Sequence, residues 1–328
     1  MRIGLVGLGK AGQQHAAACI KIPGVVLAAA ADPSPAAMEA AARLGIPCYR
    51  DCESMLAESS LDGVIISVPH NCLSAMAVRC VQAGLHILIE KPMGVTVAEA
   101  EAVITTARTA GVRLMVNFVH RFRHEYRQAK ALIESGAIGQ PVLILDMISS
   151  GWSEMPDWVW DPTVAGGGMM MYGGVHSMDR LAWLAGSPIA CVMGAVGTYS
   201  YPVKLEDNSV CCVVFESGTL GAIVQHKSTA SRTLGIWQTF IRGTDGDINV
   251  ISGKSLDVAS GKEVAHLDVC EDDRFMGAVC EFVSAVAVGR DPSPSGDDGR
   301  RALAAVLALY QASSTGTSQS IRTWLEQS

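Results

Sequence analysis

Three glycines, in the run Gly7-Leu8-Gly9-Lys10-Ala11-Gly12, and a carboxylate, Asp32, about twenty residues further on, are the first residues of this chain able to do chemistry together. Between a strand and a helix, the first glycine permits a tight turn and the second lets the backbone approach a diphosphate. The third allows the helix to pack close. The amides at Lys10, Ala11 and Gly12 then open the helix and point at the anion. Asp32 can accept both hydroxyls of an adenosine ribose and would repel a 2′-phosphate. The spacing predicts a dinucleotide site, with NAD favoured over NADP. Lys10 and Arg43 are the cations that would restore NADP binding by reaching the ribose. Asp32 read simply as a turn residue before Pro33 is the plainer alternative.

A second group surrounds Lys91, which follows the apolar run His86-Ile87-Leu88-Ile89 and sits between Glu90 and Pro92. An ammonium at the carboxyl end of a parallel strand stands where such sheets bind ligands. There it can hydrogen-bond a reacting oxygen and stabilise alkoxide charge. Beside the positive ring of NAD⁺ its pKa falls, which helps proton transfer.

The elements that position these residues can be read from the pattern. Arg2 to Val6, Val25 to Ala31, Gly63 to Val68, His86 to Glu90 and Arg113 to Phe118 read as strands. Helical stretches lie between them, at Gln13 to Ile20, Ala36 to Leu44, Leu73 to Ala83 and Val97 to Ala110. Such alternation predicts a doubly wound parallel sheet, the α/β Rossmann class. After a helix at Tyr126 to Glu134 the pattern changes to strands: Pro141 to Ile148, Ala190 to Tyr199, Val210 to Glu216, Thr219 to Lys227 and Trp237 to Arg242. Ser217-Gly218 reads as a hairpin turn between two of them. Two helices close the chain, Arg274 to Val288 and Gly299 to Ser313. The expectation is a Rossmann domain at 1–120 and an α+β domain at 121–328 with a large open, mostly antiparallel β-sheet.

Composition narrows the classes of function. The 328 residues suit two domains, and 49% apolar against 17% charged residues supports a large core. A net charge of −7 without a Lys/Arg-rich run argues against nucleic acid and anionic membrane as partners. No apolar run approaches the roughly 20 residues that span a bilayer, and the first residues are too short and Gly-rich for a signal peptide. Ten scattered cysteines without a repeated CxxC read as reduced thiols; the adjacent Cys211 and Cys212 face opposite sides of a strand. The chain reads as a soluble, cytoplasmic protein.

Four segments together resemble the glucose-fructose oxidoreductase / inositol dehydrogenase / MocA (Gfo/Idh/MocA) family. They are GLVGLGKAGQQH at 4–15, SVPHNCL at 67–73, Glu90-Lys91-Pro92, and GGGMMMYGGVHSMD at 166–179; a weaker fifth is DDGRRALAAVLALYQAS at 297–313. The resemblance spans nearly the whole chain. It implies hydride transfer between nicotinamide C4 and a secondary alcohol or ketone of a sugar, cyclitol or related polyol. It also implies a homodimer or homotetramer built through the open sheet, and a Lys91–Pro92 bond that is commonly cis. His176 matches the family's catalytic histidine, and imidazole, titrating near neutrality, can take the hydroxyl proton. Asp179, three residues on, reads more as a structural contact than as a partner of the ring.

The chain departs from the family at Tyr172, where many relatives carry aspartate four residues before the histidine. A phenol is ordinarily a neutral donor and cannot raise the basicity of His176 as a carboxylate does. It is read as a hydrogen-bond partner for a substrate hydroxyl or as a proton relay. Ser67, Pro69, His70, Asn71, Glu90 and Lys91 are read as cofactor-binding positions. Asn117, His120 and Arg121 stand at the expected domain junction, where a substrate cleft should form. Trp152 and Trp160, with Trp158, can stack on a sugar ring or pack their loop. His120 and His124 have helical spacing, but no carboxylate or thiolate completes a ligand set and the family chemistry needs no metal. The competing functions are a glycosidase-like enzyme using transient oxidation by a retained NAD, with glycoside substrates, and a catalytically silent NAD-binding sensor.

Overall fold

The computed structural model describes residues 1–151, 155–228, 235–270 and 273–326. They fall into two compact units, one of Met1–Val119 with Asp273–Arg300, the other of His120–Asp272 with Arg301–Ser328.

In the first unit the chain runs β1 (Arg2–Val6), α1 (Lys10–Lys21), β2 (Val26–Ala31), α2 (Pro35–Leu44), β3 (Cys48–Tyr49), α3 (Cys52–Glu58), β4 (Gly63–Ile66), α4 (His70–Gln82), β5 (His86–Ile89), α5 (Val97–Ala110) and β6 (Leu114–Val116). The strands pair in parallel in the order β3-β2-β1-β4-β5-β6, which places the change of winding direction between β1 and β4. Every residue of β4 and β6 is buried, as expected of strands covered on both faces. Each candidate cofactor residue follows the carboxyl end of one of these strands.

The segment Asp273–Arg300, which the sequence reading leaves with the second domain, packs with the first unit. Two contacts explain why. Asp273 accepts the Met276 N–H at the start of α9 (Arg274–Val288) and pairs with Lys21 of α1 at 2.9 Å. The loop after α9 covers the edge of the parallel sheet: the Val116 N–H donates to the carbonyl of Pro294 at 3.2 Å, and Met115 bridges Ser295. An uncovered edge would leave strand amides unpaired.

The second unit contains α6 (His124–Glu134), β7 (Pro141–Gly151), α7 (Pro162–Ala165), α8 (Val175–Ala185), β8 (Ile189–Gly197), β9 (Asn208–Phe215), β10 (Leu220–Ser228), β11 (Ile236–Gly243), β12 (Gly246–Ile251), β13 (Ser255–Ser260) and β14 (Glu263–Leu267). Most of α10 (Gly296–Thr315), then β15 (Gln319–Ser320) and α11 (Ile321–Glu326), complete it. The nine strands are ordered β14-β13-β12-β11-β7-β10-β9-β8-β15. All neighbours are antiparallel except β7 and β10. Along β9 burial alternates strictly: Ser209, Cys211, Val213 and Phe215 face inward, while Cys212 and Val214 are exposed. The β9–β10 hairpin turns at Gly218, whose φ of +86° suits glycine.

Five strands lie beyond those expected from the sequence: the two-residue β3 and β15, and β12 to β14. β12 and β13 are six residues each and do alternate, Ile248, Val250 and Leu256 facing inward, whereas β14 is almost wholly exposed and carries no apolar face. Each of β12 to β14 pairs antiparallel with the strand just before it in the chain. Among the described residues, no helix is long and apolar enough to cross a membrane.

Candidate active site

The glycine turn of the first unit separates two kinds of glycine. Gly7 has φ +87°, and a Cβ there would collide with the Ser67 carbonyl; a Cβ on Gly12 would collide with the carbonyl of Gly7. A Cβ on Gly9, by contrast, would meet nothing within 4 Å. Gly7 and Gly12 are therefore small for packing, and Gly9 leaves an open cradle above the start of α1. Gly9 is the N-cap of α1, no side chain caps this end, and no acidic residue stands in its first turn. Amides of Lys10, Ala11 and Gly12 in such a turn suit a diphosphate. The Asp32 carboxylate is turned toward the same loop, Oδ2 accepting from the Leu8 N–H at 2.8 Å and Oδ1 from the Ser34 N–H at 2.9 Å. The residues present thus fit a dinucleotide.

The end of β4 continues this edge. The Ser67 N–H donates to Val6 at 2.7 Å, Pro69 is the N-cap of α4, His70 is buried and Asn71 is exposed. At the end of β5, the Lys91–Pro92 bond is cis. Burial pulls the Lys91 ammonium below its ordinary pKa, and the neighbouring Glu90 carboxylate opposes this. Burial would push the Glu90 carboxyl up, but His15, Lys91 and Asn117 together hold it below the usual carboxylate range. Asn117 follows β6, and its amide nitrogen donates to Glu90 Oε1 at 2.6 Å.

In the second unit, Met170–Gly174 form one π-helical turn that runs into α8, a feature often found where helices carry function. Tyr172 lies in this turn and His176 in the first turn of α8. The preceding glycines are small because of their neighbours. A Cβ on Gly167 would collide with the Tyr310 hydroxyl, and one on Gly168 with Glu206. Glu206 anchors this loop by accepting the Gly168 N–H at 2.8 Å, the Met170 N–H at 2.9 Å and the Tyr310 hydroxyl at 2.6 Å.

His176 is buried and its ring stacks on that of His120, with centroids 4.1 Å apart. Behind His120 lies a polar chain that the sequence reading missed. Arg180 Nη1 donates to His120 Nδ1 at 2.7 Å, and Nη2 pairs with Asp146 Oδ1 at 2.6 Å. Thr239 donates to the same oxygen at 2.7 Å, and Tyr126 donates in turn to Thr239 at 3.0 Å. Because Nδ1 of His120 accepts, the neutral ring carries its proton on Nε2. Burial alone would lower the pKa of Arg180, but Asp146, with Tyr126 and Asp179, more than reverses this. Gln225 on β10 donates to Ser177, next to His176, at 2.8 Å. The signal for this chain was period two: Asp146 is a charged residue at an inward position of an apolar strand.

The other candidates have defined neighbours. Arg121 makes a bidentate pair with Asp179, Nε to Oδ2 at 2.9 Å and Nη2 to Oδ1 at 2.5 Å. Both carboxylate oxygens of Asp179 thus accept from Arg121. The Trp160 ring lies 5.5 Å from that of Tyr201, and Trp158 lies 6.2 Å from Tyr172. Trp152 falls outside the described residues. His124 faces the Cys270 thiol at 3.1 Å, so it and His120 have different partners.

Two family models match the chain: "Oxidoreductase family, NAD-binding Rossmann fold" over residues 1–118 and "GFO/IDH/MocA C-terminal domain" over residues 126–249. The chain is 25% identical to the myo-inositol 2-dehydrogenase of Thermotoga maritima, over 92% of this chain and 93% of that protein. It is 35% identical to the rhizopine catabolism protein MocA of Rhizobium meliloti, over 56% of this chain and 57% of that one. Its fold is similar to that of an oxidoreductase domain protein from Kribbella flavida, with a TM-score of 0.91 and 24% identity over 97% and 98% of the two chains.

Proposed function

The chain belongs to the Gfo/Idh/MocA oxidoreductase family, and from this premise we propose that it oxidises a secondary alcohol of a sugar, cyclitol or related polyol, or reduces the corresponding ketone. One observation carries the reading: Lys91 and the open cradle at Gly9 stand at the same carboxyl edge of a single parallel sheet. A bound nicotinamide dinucleotide supplies the hydride acceptor or donor.

The residues of the chain divide the remaining tasks. The turn of Gly7, Gly9 and Gly12, with the amides at Lys10 and Ala11, holds the diphosphate. Asp32 takes the ribose hydroxyls and favours NAD. Ser67, Pro69, His70 and Asn71 continue the cofactor edge. Lys91 donates to the reacting oxygen through Nζ and offsets its negative charge. His176 takes the hydroxyl proton on a ring nitrogen, supported through the stacked His120. Tyr172 binds a substrate hydroxyl, and the Trp160 ring offers an apolar face to the sugar. Asn117 and Arg121, whose side chains are committed to Glu90 and Asp179, act by holding those neighbours.

The oligomer extends the same reading. Leu145, Met147, Val210, Val214 and Leu220 are exposed on the outer side of the sheet, and a second copy of the chain in a homodimer or homotetramer would cover them. All ten cysteines are free thiols, which supports a reducing, cytoplasmic location.

The deciding experiment follows NADH absorbance with a panel of sugars, cyclitols and glycosides, first with NAD⁺ and then with NADP⁺. Reduction of NAD⁺ by one polyol group, with weaker use of NADP⁺, is the expected result. Glycoside cleavage without net NADH would support the glycosidase-like alternative. Tightly bound NAD with no turnover of any compound would support the sensor. Tyr172→Phe should lower kcat/KM about tenfold, the loss of one hydrogen bond to substrate. Unchanged kinetics would remove the phenol from the mechanism.

A further inference from the structure

We propose that His15, acting through Glu90 together with Asn117, is a positioning residue for Lys91. In this arrangement the helix that opens on the diphosphate cradle also holds the buried carboxylate beside the lysine. The inference rests on the reading that Lys91 acts on the reacting oxygen.

Three elements meet at one oxygen atom. His15, on the inner face of α1, places Nε2 3.0 Å from Glu90 Oε1. Asn117, after β6, places Nδ2 2.6 Å from the same atom and 3.1 Å from His15 Nε2. Glu90 Oε2 accepts the backbone N–H of Lys91 at 3.2 Å. His15 is 0% exposed and Asn117 1%, so both donors are shielded from bulk solvent. A carboxylate oxygen only accepts, so it selects the His15 tautomer with its proton on Nε2. Phe275 of α9 meets the His15 ring edge-on, with centroids 4.8 Å apart, and fixes the ring plane.

A buried carboxylate is costly unless its charge is used or paired. Packing alone would be served by an amide or an apolar side chain at this position. What the charge adds is a negative centre directly before Lys91, held in place by two donors. Among the described residues, the titratable or charged groups facing Glu90 are His15 from α1 and Lys91 from its own turn. From α9, Phe275 covers His15, and the Arg274 guanidinium lies 5.7 Å from the Phe275 ring. Neutralising Glu90 therefore removes the principal influence that keeps the proton on Lys91 against its burial. Removing the His15 donor acts in the same direction, more weakly, because Glu90 then keeps only one of the two side-chain donors that hold its carboxylate beside Lys91.

The test is the pH profile of kcat in Glu90→Gln, His15→Leu and His15→Gln, with NAD affinity and thermal melting recorded for each. In Glu90→Gln the alkaline limb should move down by about one pH unit, while the acid limb stays in place. His15→Leu should move the alkaline limb less, and His15→Gln, which retains a donor, should restore it. If kcat falls but the alkaline limb does not move, the cluster serves packing alone and the inference is overturned. If Glu90→Gln does not fold, the two His15 profiles decide by the same criterion. Lys91→Met separates this from the underlying reading. An inactive Lys91→Met beside an unmoved alkaline limb overturns the inference alone. An active Lys91→Met overturns both.

Discussion

Replacing Lys91 by methionine should lower kcat by about 10²–10³-fold, the usual consequence of removing a donor that meets charge developing in the transition state. That corresponds to about 3–4 kcal/mol of barrier. Methionine keeps the length and the apolar stem, so the comparison isolates the ammonium. Dinucleotide affinity should change far less than kcat, because the proposed diphosphate and ribose contacts are at Gly9 and Asp32, away from Lys91. In the wild type, burial lowers the pKa of Lys91 and Glu90 limits the fall. The ammonium is therefore present below its folded-state pKa and lost above it. The alkaline limb of kcat should lie below the ordinary lysine range and be absent from the residual activity of the variant. Turnover within about threefold of wild type, a barrier change under about 1 kcal/mol, would contradict the assignment.

The second large effect is on stability. Asp146→Asn should cost the second unit about 3–5 kcal/mol, because it leaves the Arg180 guanidinium buried without its counter-charge. Arg180 and Asp146 both have 0% side-chain exposure, so water cannot replace the lost partner. The substitution preserves volume, so the loss measures the charge rather than a cavity. Chemical denaturation read by tryptophan fluorescence checks it, since Trp237 lies within 5.9 Å of Arg180. Replacing the pair with Asp146→Leu and Arg180→Met should recover much of the stability, because no charge then remains to be desolvated. It should not recover activity, because His120, on which His176 stacks, would have lost its Arg180 donor. A cost below about 1 kcal/mol for Asp146→Asn would mean that Asp179 and the rings of Tyr126 and Trp237 suffice to hold the cation.

The residues that act by local geometry were legible in the chain itself. The turn of GxGxxG needs only its own strand-turn-helix, and Gly12 is small because of the Gly7 carbonyl, although the Ser67 carbonyl that excludes a side chain at Gly7 comes from the end of β4. Asp32 follows from one βαβ unit, and the runs at β4 and β5 are apolar because both faces are covered. The alternation of strand and helix determined the class of the first unit, and strand patterning determined the open sheet of the second. The glycines before Tyr172 could be seen but not explained, because Glu206 and Tyr310 reach them from segments about 40 and 140 residues away.

Only the tertiary structure decided how charges are shared. Sequence places Glu90 and Asn117 on ligand edges, yet both side chains turn to His15, because a buried carboxylate must find donors wherever packing supplies them. Arg121 reads from sequence as a substrate-cleft candidate, and its pairing with Asp179 carries no signal in the chain. Asp146 and Arg180, 34 positions apart, carry no local signal of pairing. Short-range periodicity encodes which face of an element is apolar, so it yields fold class and motif placement. The partner of a buried polar group depends on which elements the whole chain brings together, and that information is absent from any window of sequence.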